Sequence, residues 1–285
     1  MPNPSTSLAL VAWIPWRPAL LAAAVLGLVA LALRTRPGAE RASRITAEAA
    51  LISALYAGWQ YAGSLVGGSA PEARDAGLWL DRVERFLAWP SEAAIQQQVL
   101  GVDWLIHAAN AYYSIVHVPV FVATMVWVLV RHLEDWPFAR TVVALTTGIC
   151  LLIEFKAVAP PRLIPSLGIV DTAAGTGDSV YDRIAGANQY AAMPSVHVAW
   201  AAIVALLVIV SARSRWRWLA LLYPLLTTWV VVVTGNHFII DGAVSVLILA
   251  FAVGVTLLFP SQRPRRFAHR LEAAREEGEL EPSVR

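Results

Sequence analysis

Long apolar runs separated by short polar segments dominate the pattern along the chain. Each run is about 20 residues long, which is the length that crosses a bilayer as a helix. No alternation typical of membrane-barrel strands is seen. The pattern predicts an all-α polytopic membrane protein, a bundle of about six to seven transmembrane helices with an amphipathic interfacial segment. The predicted spans are Leu8–Leu33, Ile45–Val66, Val102–Val130, Phe138–Val158, Pro194–Ser211, Trp218–Thr234 and His237–Phe259.

Three polar segments lie outside these spans. Residues 71–101 include "DRVERFLAWPSEAAIQQQ", which predicts one or two amphipathic helices on the membrane surface. Residues 160–193 form a connection of a length that is usually functional or poorly ordered. The predicted organisation is therefore an N-terminal span and basic loop (1–44), a membrane-embedded core (45–260) and a charged tail (261–285).

Composition agrees with a membrane protein and excludes some functions. Hydrophobic residues make up 58% and charged residues 15% of the chain, and the net charge is +2. A soluble domain would carry about a quarter charged residues, and this small net charge does not suggest nucleic acid as a partner. The single cysteine, Cys150, rules out an intrachain disulfide.

The distribution of arginine predicts the orientation in the cell membrane. With the N-terminus outside, 15 of the 21 arginines fall in cytoplasmic segments, as the positive-inside bias requires. The C-terminus is then cytoplasmic. Three polar clusters, "KAVAPPRL", "AAMPSVHVAW" and "TGNHFIIDG", meet at the extracytoplasmic face. Because polar groups at span ends inside a bundle tend to mark sites, this convergence is the main functional signal.

The cluster "TGNHFIIDG" contains His237 and Asp241, four residues apart. On a helix they share a face, so the carboxylate can fix the imidazole tautomer and leave the other nitrogen basic. The alternative is a hydrogen-bonded pair that only holds the bundle together.

In "AAMPSVHVAW", Pro194 suits the first turn of a helix. The N–H groups of Ser195, Val196 and His197 are then expected to be free, as at an anion site, with the Ser195 hydroxyl as a further donor and His197 as a proton donor. The alternative is that Ser195 caps the helix and His197 only reaches the interface.

In "KAVAPPRL", the two prolines end the preceding span and Arg162 follows. Its guanidinium suits a phosphate group because it offers paired donors and stays charged. Lys156, the only lysine in the chain, is a second candidate for phosphate binding or a snorkelling residue at a helix end.

These parts suit phosphoryl transfer, which is mostly positioning and neutralisation of charge. His237 is the predicted nucleophile that forms a phosphohistidine, Asp241 orients it, and His197 protonates the leaving oxygen. Arg162 and the helix N-terminus hold the phosphate. No metal or other cofactor is required, although His197, His237 and Asp241 could instead ligate zinc.

The order Arg, then Pro-Ser-x-His, then His-x-x-x-Asp resembles the type 2 phosphatidic acid phosphatase superfamily. More closely, the chain resembles the branch that contains fungal inositol-phosphorylceramide synthase. The stretches that carry this resemblance are "NAYYSIVHVP", "APPRL", "GIVDT", "MPSVH" and "GNHFIID". The resemblance implies catalytic roles for the residues that match the motifs, His197, His237 and Asp241.

The chain also departs from the superfamily pattern. Five residues rather than six separate Lys156 from Arg162, and Leu163 replaces a proline. Val196 stands for the usual glycine, and Val231 stands where the superfamily has a second arginine. The missing second arginine bears on how phosphate is bound, whereas the catalytic residues His197, His237 and Asp241 match the pattern.

Three residues of the third span, spaced three and then four apart, share one helix face; they are Asn110, Tyr113 and His117. They are expected either to wall the lipid or acceptor pocket or to make interhelical hydrogen bonds.

The predicted substrate is a membrane lipid phosphate, and the acceptor is water in a phosphatase or an alcohol such as inositol in a transferase. A transporter is the rival class, since intramembrane polar groups also line transport paths. Transporters often show paired repeats or broken helices, and neither is evident in the sequence.

Overall fold

The computed structural model describes residues 14–65, 68–174, 189–265 and 267. Within these residues the chain is helical, without strands apart from an isolated bridge between Val158 and Ala191. The all-α prediction is confirmed. The helices are α1 (Trp16–Arg34), α2 (Glu40–Gly63), α3 (Ala70–Phe86), α4 (Glu92–Gln97), α5 (Asp103–Ala111), α6 (His117–Arg131), α7 (Trp136–Glu154), α8 (Val196–Ser211), α9 (Leu222–Val233) and α10 (Ile239–Leu257).

Shorter turns connect these helices. A π-helical turn, Tyr112–Val116, joins α5 to α6, and a 3₁₀ helix, Arg215–Leu221, leads into α9. Two further 3₁₀ turns, Pro161–Leu163 and Pro165–Leu167, follow α7. A last one, Pro260–Gln262, follows α10.

Five continuous helical segments are long and apolar enough to cross a membrane: Trp16–Arg34, Asp103–Arg131, Trp136–Glu154, Arg215–Val233 and Ile239–Leu257. The apolar helix α8 is shorter, with 16 residues. Helix α2 has 24 residues, and its charged side chains lie in its first half. The five segments match five of the seven predicted spans, and the first of these predictions begins at Leu8, outside the described residues. Helices α2 and α8 lie at the other two predicted spans but are not among the five. The protein is a polytopic membrane protein.

The main core lies between α6, α7, α8 and α10. Its fully buried side chains include Val128, Val142 and Ile203, and α10 contributes Ile248 and Leu249. Large apolar side chains also cover the outside of the bundle, such as Phe251, which is 63% exposed. An apolar surface of this kind suits contact with lipid rather than water.

The amphipathic segment forms α3 and α4. The buried face of α3 carries Ala73, Gly77, Leu80 and Glu84, at helical spacing. A Cβ added at Gly77 would lie 2.7 Å from the carbonyl oxygen of Ala159, so glycine is what permits this close packing. The segment is therefore amphipathic, as predicted, and its buried face packs on the connection that carries Arg162.

Helix boundaries near the three polar clusters differ from the sequence prediction. Helix α7 ends at Glu154 instead of Val158, and α10 begins at Ile239 instead of His237. Both ends pass into irregular segments whose backbone groups bond to other parts of the chain. The amide of Val158, for example, donates to the carbonyl of Tyr190 at 2.7 Å.

Candidate active site

His237 lies in the turn between α9 and α10 and is only 4% exposed. Its Nδ1 lies 2.7 Å from the carbonyl oxygen of Ala192. Because a carbonyl can only accept, Nδ1 carries the proton and Nε2 keeps a lone pair in the neutral ring. The short pairing of Val158 with residues 190–192 fixes this carbonyl. His237 is therefore held in the tautomer that a nucleophile needs.

Asp241 contacts His237, but not from the same helix face as predicted. His237 precedes the first residue of α10, and Asp241 reaches back from the first turn. Its Oδ2 accepts from the amide of Phe238 at 2.8 Å and lies 3.5 Å from Nδ1 of His237. Asp241 thus fixes the turn that carries His237 and supplies a negative charge beside the ring, while Ala192 makes the shorter contact.

His197, in the first turn of α8, faces His237. The two ring centroids are 5.9 Å apart. The His197 ring stacks on Tyr113 at 4.2 Å and hydrogen-bonds the Tyr113 backbone. The carbonyl it reaches belongs to the π-helical turn, a type of local distortion often found at functional sites. The stacking and the hydrogen bond fix the orientation of His197.

Arg162 is held beside the same turn, and its side chain is 4% exposed. Its backbone amide donates to the carbonyl of Gly235 at 3.0 Å. Its Nε donates to Oδ1 of Asn236 at 2.9 Å, and its Nη1 donates to Oδ2 of Asp171 at 3.2 Å. The guanidinium is thus oriented by the residue next to His237 and by a carboxylate of the "GIVDT" stretch.

Gly235 makes this approach possible. Its φ of +68° is in the left-handed region, which favours glycine. A Cβ at this position would lie 3.1 Å from Cβ of Arg162 and 2.9 Å from Cγ2 of Ile169. The turn needs glycine both for its backbone conformation and for its contact with Arg162.

Pro194 differs from its predicted position, and Ser195 takes the role given as the alternative, that of a helix cap. Ser195 is the N-cap of α8, so Pro194 precedes the cap instead of occupying the first turn. The Ser195 hydroxyl accepts from the amide of Val198 at 3.4 Å, and its own amide donates to the carbonyl of Asp241 at 3.3 Å. The prediction that the Ser195 N–H is free is therefore wrong. The amides of Val196 and His197 remain first-turn donors without an intrahelical acceptor.

Lys156 lies just after the end of α7, and its side chain is exposed. Its amide donates to the carbonyl of Ile153. Over the described residues, no hydrogen bond or ion pair joins its side chain to Arg162, His197 or His237. The structure does not bring Lys156 into the group of contacts that the other candidates form.

Asn110, Tyr113 and His117 are all buried on one side of the α5–α6 segment. Asn110 exchanges two hydrogen bonds with Thr172, of 3.0 and 2.9 Å, and so anchors the "GIVDT" stretch. Tyr113 stacks on His197, and the ring centroid of His117 is 4.7 Å from that of His197. Asn110 therefore makes a hydrogen-bonding contact, while Tyr113 and His117 wall the side of His197.

Sequence reasoning missed the polar residues of α3 and α4 that hold the site. Gln96 is 1% exposed and clamps both backbone groups of Val170, at 2.8 and 2.9 Å, while also donating to the carbonyl of Val233. Glu84 and Glu92 accept from the first turn of α10. The sequence did carry a signal for the burial of Glu84, because Glu84 lies at helical spacing from the apolar residues Ala73 and Leu80.

No group of three or more His, Cys, Asp or Glu side chains in the described parts of the chain is placed to hold a metal ion. What these parts do bring together is two imidazoles, a carboxylate and a guanidinium. Such a set can attack a phosphorus atom, neutralise its charge and move a proton.

Comparison with known proteins covers the stretch that carries these residues. The family model of the PAP2 superfamily matches residues 78–255, which include His197, His237, Asp241 and Arg162. No curated protein and no solved structure matches the chain significantly.

Proposed function

The chain belongs to the PAP2 superfamily, and we propose that it transfers a lipid phosphate group through a phosphohistidine on His237. Membership of this superfamily indicates a membrane lipid phosphatase or phosphotransferase. The observation that carries this proposal is the pairing of His237 Nδ1 with a backbone carbonyl at 2.7 Å. That bond leaves Nε2 as the nucleophilic atom. His197 and Arg162 lie on the elements next to it.

The reaction has two balanced steps. The lone pair of His237 Nε2 forms a bond to phosphorus, and the bond from phosphorus to the leaving oxygen breaks while His197 gives that oxygen its proton. His197 then takes a proton from the acceptor, whose oxygen attacks phosphorus and releases His237. Asp241 stabilises the positive charge on His237 in the intermediate.

The charges around Arg162 favour a transferase over a simple phosphomonoesterase. Arg162 is paired with Asp171 at 3.2 Å. The buried Val231 stands at the position of the second superfamily arginine, and Lys156 is exposed. This limited positive charge suits a singly charged phosphodiester better than a doubly charged phosphomonoester. A phospho-headgroup carried by a diester could pass to inositol or another alcohol, in line with the resemblance to the inositol-phosphorylceramide synthase branch.

The proposed location of the site is the extracytoplasmic face of the cell membrane, with a cytoplasmic C-terminus. The arginine distribution supports this orientation.

Product analysis tests the proposal. Purified protein in detergent micelles receives a phosphatidyl-alcohol or phosphatidic acid labelled at phosphorus, with and without inositol, and the products are separated by thin-layer chromatography. We expect turnover of the diester and a new labelled ester only when the alcohol is present. His237→Ala serves as the control without the nucleophile.

Release of inorganic phosphate from phosphatidic acid alone would support the hydrolase instead. Turnover that persists in His237→Ala would contradict the phosphohistidine mechanism. Transport of the lipid without any chemical change would overturn the enzyme proposal.

A further inference from the structure

The first turn of α10 receives two carboxyl groups from the amphipathic segment. Glu84 Oε1 accepts from the amide of Ile240 at 2.7 Å, and Glu92 Oε1 accepts from the amide of Ile239 at 3.1 Å. Their sequence separations from these partners exceed 140 residues. The two side chains therefore tie α3 and α4 to the start of α10.

These contacts continue directly into the candidate active site. The preceding amide, of Phe238, donates to Asp241, and His237 comes immediately before it. Three successive amides at this helix start thus bond to three different carboxyl groups. A displacement of this turn moves the nucleophile and its neighbouring carboxylate together.

Glu84 and Glu92 are also neighbours, because they accept hydrogen bonds from two adjacent amides and interact with each other through their side chains. Both residues are buried, with 3% and 6% exposure. Glu84 Oε2 receives no hydrogen bond from any donor among the described residues. A proton on that oxygen, donated to the facing carboxylate, satisfies it without any other donor.

The charges around Glu84 agree with this protonation. Burial and the neighbouring Glu92 raise the pKa of Glu84 to about 9, and the charge of Asp241 acts in the same direction. On its own helix, Arg85 pairs with Asp81 and is mostly exposed. At neutral pH Glu84 therefore keeps its proton and can donate it to the facing Glu92.

We propose that Glu84 and Glu92 form a carboxyl–carboxylate pair sharing one proton, and that this pair positions His237 and Asp241 for catalysis. The inference rests on the proposed function of His237. Loss of the shared proton places two negative charges side by side under the turn, with Asp241 as a third nearby. Repulsion then separates the pair and releases α3 and α4 from α10.

The test compares Glu84→Gln, Glu84→Ala and the matched control Asp75→Asn. Asp75 lies on the same helix but is exposed. Turnover of the labelled phosphatidyl-alcohol in micelles is measured from pH 6 to pH 10.5, and the thermal unfolding midpoint is measured over the same range. The side-chain amide of glutamine donates like the protonated acid but cannot ionise.

We expect wild-type kcat to fall with a midpoint near pH 9, the pKa region of Glu84, with little change in KM. Glu84→Gln should lose this alkaline fall and should recover most of the activity that Glu84→Ala loses. That loss should be about 10- to 100-fold in kcat, since small displacements of reacting groups have effects of this size. Asp75→Asn should keep the wild-type profile.

An alkaline fall that Glu84→Gln leaves unchanged, or an active Glu84→Ala, would overturn the shared-proton pair. The thermal unfolding midpoints distinguish failure of the shared-proton pair from failure of the proposed function. If the wild type turns over no lipid, the proposed function fails. The pair itself is then judged by whether the midpoint falls with pH in the wild type and not in Glu84→Gln.

Discussion

Replacing Gly235 by alanine should separate the two demands that the catalytic turn places on this position. The matched control is Gly168→Ala. Both glycines have a φ of +68°, but a Cβ at Gly168 meets nothing within 4 Å. A Cβ at Gly235 lies 2.9 Å from Ile169 Cγ2 and 3.1 Å from Arg162 Cβ. The control therefore bears the backbone strain alone.

The expected size of each effect follows from these contacts. An alanine in the left-handed region costs about 1–2 kcal/mol of the free energy of unfolding, and this applies to both variants. Overpacking adds about 1–3 kcal/mol at Gly235 only. Because the new methyl group displaces Arg162 by a few tenths of an ångström or more, turnover should also fall by about 10- to 100-fold.

Denaturant unfolding in detergent and turnover of the labelled lipid measure these two quantities. Gly168→Ala should show the smaller destabilisation and turnover close to that of the wild type. Equal destabilisation of the two variants would refute the packing argument. Wild-type turnover in Gly235→Ala would show that the position of Arg162 does not depend on this contact.

Three further predictions follow from the site and its orientation. Arg162→Lys should reduce kcat/KM for the labelled phosphatidyl-alcohol by about tenfold or more, because lysine lacks the planar fork that reaches two partners; near-normal kcat/KM would exclude Arg162 from phosphate binding. In a rapid quench with a nitrophenyl phosphate ester, His197→Ala should still trap acid-labile phosphate, because a good leaving group needs little protonation. His237→Ala should trap none, because it lacks the nucleophile. The reverse pattern would exchange the roles of the two histidines. After replacement of Cys150, the exposed positions Ser166 and Ser214 test the orientation. Ser166→Cys should react with an impermeant thiol reagent in intact cells, and Ser214→Cys should react only after lysis. The opposite result would place the site in the cytoplasm.

Apolar run length and residue order were enough to predict the fold class and the candidate residues. Runs near 20 residues leave a membrane-embedded chain few solutions other than a helical bundle, because backbone groups must be satisfied within each segment. The order of Arg162, His197 and His237 with Asp241 pointed to phosphoryl transfer. The residue types were readable because polar groups at span ends are few in an apolar chain.

Tertiary structure decided which partners these residues have. The sequence pattern placed His237 on a helix with Asp241, whereas the turn pairs Nδ1 with the carbonyl of Ala192, a residue 45 positions away. Backbone carbonyls look alike in every sequence, so no pattern predicts that bond. Likewise, the burial of Glu84 and Glu92 under α10 depends on where the amphipathic segment docks, which local periodicity does not specify. Periodicity fixes which face of a helix is apolar, but only packing fixes what that face meets.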